Sequence, residues 1–129
     1  MTIYTIALFG EAEKGEYSIP YLCNSLADLE NHFGNPPAHS YGLYYAIQAL
    51  LYNRQLIFCR VREEGYSKLD YLGALPLIKN STLSDISAFY LPGVGNFEIL
   101  EAITPMCKKF HSILIINEAD FYDYLMETV

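Results

Sequence analysis

Four short apolar runs, residues 3–9, 56–61, 86–91 and 113–116, stand out along a chain whose intervening stretches carry apolar groups at helical spacing. Each run has strand length and is mostly continuous rather than alternating. That pattern fits strands covered on both faces, so helices should flank the sheet. Ser25, with Asp28 three residues on, gives a capping-box-like start to a helix through His32, which Gly34, Pro36 and Pro37 end. A second helix is predicted over residues 41–52. A third covers about 69–78, where Pro76 should kink or end it by removing a backbone donor. After the third strand, the turn Pro92-Gly93-Val94-Gly95 leads to Asn96, which caps a helix to Phe110 with Pro105 as a kink or break. A last helix begins after Asp120.

Strands separated by helices require crossovers, and parallel neighbours need about a dozen residues between them. The expected fold is therefore α/β: a three-layer sandwich with a mostly parallel sheet of about four strands, formed as a single domain over residues 1–129.

Composition supports folding and narrows the partners. Hydrophobic residues make up 52% and charged residues 18% of 129 positions, the reverse of a disordered chain. The net charge of -7 opposes binding to nucleic acid, where Lys and Arg must neutralise phosphates, and to an anionic membrane. After Lys109 come Glu118, Asp120, Asp123 and Glu127 with no basic residue. Cys23, Cys59 and Cys107 are odd in number and widely spaced, so no disulfide framework follows. No basic leader and no apolar run near the ~20 residues of a membrane span is present, and a cytoplasmic location is expected.

The order of several motifs points further. Phe9-Gly10-Glu11-Ala12-Glu13-Lys14-Gly15, then Ile19-Pro20, Asn24-Ser25-Leu26-Ala27-Asp28-Leu29 with Phe33-Gly34, Tyr45-Ala46-Ile47 through Asn53, and Ile57-Phe58-Cys59-Arg60-Val61 together resemble the opening module of contractile-tail sheath proteins. Downstream, Ile86-Ser87-Ala88-Phe89-Tyr90-Leu91-Pro92-Gly93-Val94, a helix containing Cys107, and Ile113-Leu114-Ile115-Ile116 are similar to a later sheath segment in which a strand ends in Pro-Gly. The resemblance covers most of the chain. It implies a structural, non-enzymatic subunit of phage tails or related contractile injection systems, where subunits form rings and helical stacks around an inner tube. Sheath assembly also uses terminal arms and a large C-terminal portion. Here the first predicted strand starts at Ile3 and the last helix runs near Val129, so a reduced form is expected: an adaptor, cap or small homo-oligomer.

The second helix suggests where such contacts lie. Leu43, Ile47, Leu50 and Leu51 fall on one side, while Tyr41, Tyr45, Gln48 and Tyr52 line up at i, i+4, i+7 and i+11 on nearly the opposite side. Tyr suits interfaces because its ring buries area while its hydroxyl keeps a polar partner. These four residues are the interface candidates, facing further copies of the chain or other phage-tail-like structural proteins.

Reactive chemistry finds little support. His32, His39 and His111 pair with no Cys or carboxylate at metal-ligand spacing, so no metal or cofactor is expected. Glu11, Glu13 and Glu16 crowd the turn after the first strand, where open α/β sheets bind ligands, but read as solvated charges. Gly10 and Gly15 lack the Lys-Ser or Lys-Thr of a P-loop, and Gly93-Val94-Gly95 lacks a third fingerprint glycine. Cys59 beside Arg60 and Arg62 reads as a buried small hydrophobe. The expected function is structural, with a small regulatory or ligand-binding module as the alternative, its pocket at the turns 10–15 and 92–96.

Overall fold

A computed structural model describes residues 4–81 and 85–127. Five strands, β1 (Thr5–Gly10), β2 (Tyr21–Cys23), β3 (Gln55–Arg60), β4 (Ile86–Tyr90) and β5 (Ile113–Ile115), form one sheet in the order β2-β3-β1-β4-β5. The β3, β1, β4 and β5 strands are parallel, and β2 runs antiparallel against β3. The helices are α1 (Leu26–Phe33), α2 (Gly42–Leu51), α3 (Lys68–Lys79), α4 (Phe97–Phe110) and α5 (Glu118–Glu127). The three-layer expectation holds, with one more strand than expected. Ile3, the expected start of the first strand, lies outside the described residues, as does Val129.

The continuous apolar runs are explained by two cores. Along β1, Ile6 and Leu8 point into a core with α1, α2 and α5, while Ala7 and Phe9 point into a second core with α3 and α4. On β3, Leu56 and Phe58 join the first core, and Ile57 and Cys59 the second. Alternation along a strand sends successive side chains to opposite faces, so a strand buried on both must be apolar throughout. At β4 the register shifts: Thr5 pairs with Ile86 and Ile6 with Ala88. The bulge leaves Ser87 unpaired on the ladder, and its hydroxyl instead donates to the Thr5 carbonyl and bonds the Tyr124 hydroxyl of α5 at 2.7 Å.

Caps fix the helix starts. The Asp28 and Ile99 amides donate to the side chains of Ser25 and Asn96, and the Asp120 amide donates to Asn117. Pro76 and Pro105 remain inside α3 and α4 rather than ending them. Both prolines are exposed, so each helix loses one bond while the face it packs on the sheet stays continuous.

Candidate functional site at the C-terminal edge of the sheet

In a parallel sheet wound in both directions, the crevice beyond the strand C-termini, where strand order reverses, is the usual ligand site. Here it lies between β1 and β4, under the turns after Gly10 and after Tyr90. The Glu64 carboxylate accepts hydrogen bonds from the Tyr41 amide (2.8 Å), the Gly42 amide (2.9 Å) and the Glu11 amide (3.1 Å). It therefore sits on the N-terminus of α2, where free amides and the helix dipole favour an anion. Glu11 returns the contact, its carboxylate accepting from the Glu64 amide at 3.0 Å.

Close backbone packing draws the neighbouring turns together. A Cβ on Gly10 would stand 2.7 Å from the Gly42 Cα, so α2 can press on the end of β1 only because both residues are glycine. A Cβ on Gly65 would stand 2.6 Å from the Gly93 carbonyl oxygen, which joins the β3–α3 turn to the β4–α4 turn. The Gly65 amide donates to the buried Tyr71 hydroxyl at 2.7 Å. Beside this, Asp70 is buried and accepts from the Arg62 amide and guanidinium, while Arg60 and Arg62 both lie 4.2 Å from the centre of the Tyr17 ring.

The tyrosine stripe expected on α2 is divided. Tyr45 is only 6% exposed, so its expected place on an outer face is incorrect. Its ring packs 5.0 Å from Tyr90 and 5.1 Å from Phe121, and its hydroxyl donates to Glu118 at 2.9 Å. Burial first, and the Glu118 hydrogen bond second, hold its phenol well above the ordinary tyrosine value. The physical reason is that α2 lies between α1 and α5, so its buried arc is wider than one stripe. Gln48 is half-buried against Tyr122, whereas Tyr41 and Tyr52 are exposed. Leu51, expected against the sheet, is exposed.

Several large apolar side chains are exposed along this edge among charged ones. Tyr66 and Leu69 at the start of α3 are 77% and 80% exposed, and Phe97, the first residue of α4, is 73% exposed. Tyr41, Tyr44 and Ile116 stand exposed at the same edge. Interspersed with them are the carboxylates of Glu13, Glu16, Glu63, Glu98 and Glu118. The sequence reading missed Glu64 and this apolar rim. The usable signal for the first was the set of glycines at 10, 42 and 65, each beside a turn that must pass close to another.

The candidate reactive groups do not converge. His32 stacks on Tyr21 with ring centres 4.6 Å apart, His39 occupies a left-handed loop position, and His111 caps α4 in the left-handed region. Glu13 accepts from the Asn35 amide, and Glu16 is exposed. Among the described residues no three His, Cys, Asp or Glu side chains come together in a way that could hold a metal ion. Cys59 is fully buried, and burial raises its thiol far above the ordinary value. No helix among the described residues is long and apolar enough to cross a membrane. Compared with family models, curated proteins and solved structures, the chain finds no match.

Proposed function

We propose that this chain is a structural or assembly component that acts through protein–protein contacts, similar to the core of a contractile tail sheath subunit, and that it self-associates into a ring or small oligomer. The reading is supported by the state of the C-terminal edge. At the N-terminus of α2, where an anion would be favoured, the chain places its own Glu64 carboxylate, and large apolar side chains are exposed along the same edge. An apolar rim of this kind is favourable to cover, because roughly 25 cal/mol is gained per Å² of apolar surface removed from water. The edge is thus a surface for a neighbouring protein rather than a pocket for a small molecule. On this reading the neighbours are further copies and other phage-tail-like structural proteins, with no cofactor and no catalytic step.

Light scattering of the purified chain tests it. The expected result is a mass that is a multiple of 14.7 kDa and rises with concentration. A mass of one chain at every concentration, joined to a rise in melting temperature with a nucleotide or sugar phosphate, would assign the edge to a ligand instead.

A further inference from the structure

We propose that copies of this chain contact one another head to tail, the acidic outer face of α5 on one copy seating over the lysine-ended groove between α3 and α4 on the next. This rests on the self-association proposed above and adds to the C-terminal edge a second contact between copies, on the helix faces, without which the edge alone does not hold them together. The groove has a volume of about 560 Å³ and is lined by Leu72, Leu75, Pro76, Ala102, Pro105 and Met106, with Lys79 and Lys109 at one end and no carboxylate. The Lys109 ammonium donates to the Lys79 carbonyl at 2.7 Å, which holds it at the mouth with donors to spare. Lys108 lies next to them. Three of the chain's eight basic residues are therefore collected at one end of a molecule whose net charge is -7.

The complement is on the opposite face of the sheet. Helix α5 carries Glu118, Asp120, Asp123 and Glu127 and no basic residue. Its exposed side includes Ala119, Asp120, Asp123 and Met126, apolar and acidic positions on one helical face. Neither Asp120 nor Asp123 makes an ion pair among the described residues, and neither does Lys79 or Lys109. One molecule thus offers an apolar groove tipped with ammonium groups and, across the sheet, an acidic helix face that also exposes Ala119 and Met126. Because the two patches differ, their contact is heterologous, and its repetition closes into a ring or continues as a stack. Opposite charges across the contact set its register and make it sensitive to salt.

The test uses two charge-reversed chains, Lys79→Glu/Lys109→Glu and Asp120→Lys/Asp123→Lys, with sedimentation velocity as the readout and circular dichroism as the check of folding. Each variant alone should sediment as a monomer at concentrations where the unaltered chain is oligomeric. An equimolar mixture should recover the oligomer, since each variant then meets a surface of opposite charge. The unaltered oligomer should also dissociate in high salt, a measurement that needs no substitution. If the unaltered chain associates while both variants do so equally, or if the mixture of two monomeric variants fails to recover, the α5-to-groove contact is wrong and the self-association reading survives. A monomeric unaltered chain overturns both.

Discussion

Tyr45 of α2 donates a 2.9 Å hydrogen bond to Glu118 in the first turn of α5, so the helix that should have offered an aromatic outer stripe is instead tied beneath its neighbour. Substitution at this position therefore reports on folding, not on assembly. Tyr45→Phe keeps the ring between Tyr90 and Phe121 and removes the hydroxyl with its hydrogen bonds to Glu118 and Tyr90, at a cost of about 1–2 kcal/mol. Tyr45→Glu places an unpaired carboxylate in that aromatic cluster and costs more, roughly 3–5 kcal/mol. Urea unfolding monitored by circular dichroism checks the order: near-native midpoint for the first, a large drop or no folding for the second.

Glu64, in the turn between β3 and α3, accepts hydrogen bonds from three backbone amides. Glu64→Ala exposes those donors and should cost about 2 kcal/mol, within the range for losing a helix cap. The same substitution vacates a place suited to an anion. Inorganic phosphate should raise the melting temperature of the variant and leave that of the unaltered chain at the value set by ionic strength alone, as tested against chloride. Equal responses of the two proteins would show that Glu64 does not occupy an anion position.

Thiol reactivity follows from burial. Cys59 is enclosed by the second core, and burial lifts the Cys23 thiol to about 11. Because the thiolate is the reactive form, both should resist a thiol reagent at neutral pH in the native protein and react fully in urea. Cys107, half-buried on α4 and raised by burial, should also react more slowly than a free thiol.

Alkaline stability has a defined sign. Burial is the leading cause that raises the phenols of Tyr45, Tyr71, Tyr90 and Tyr124 above the ordinary value of 10.0. In the folded state these groups keep protons that the unfolded chain releases, so stability is intact below pH 10 and is lost as pH rises above it. Cys23 adds a loss that begins near 9.0 and ends near 11. Each group contributes at most about 1.4 kcal/mol per pH unit of decline. Urea midpoints measured across the alkaline range should fall progressively steeper, and a flat profile would contradict the buried placement.

Local chemistry was the legible part of the sequence. The Ser25 and Asn96 caps and strands β1, β3 and β4 lie near the positions expected of them, because capping and two-sided burial leave marks within a few residues, whereas β5 lies where expected but at the sheet edge with Ile113 exposed. Strand β2 was missed: three residues after a proline, pairing antiparallel at an edge, make too short an apolar run to stand out. The burial of Tyr45 depends on Tyr90 and Phe121, which are distant in sequence, and helical spacing cannot show which second helix will cover a face. Pro76 and Pro105 were read by their local effect, which packing on the sheet overrides. The Glu64 bridge is marked only indirectly, by the glycines at 10, 42 and 65, since its partners on α2 are amides more than twenty residues away.

The claim that this domain exists to be packed against further copies is tested most directly by negative-stain electron microscopy of the unmodified chain at high concentration and low salt. Closed rings or stacked discs of uniform diameter are predicted. A field of particles no larger than a single 14.7 kDa chain would contradict it.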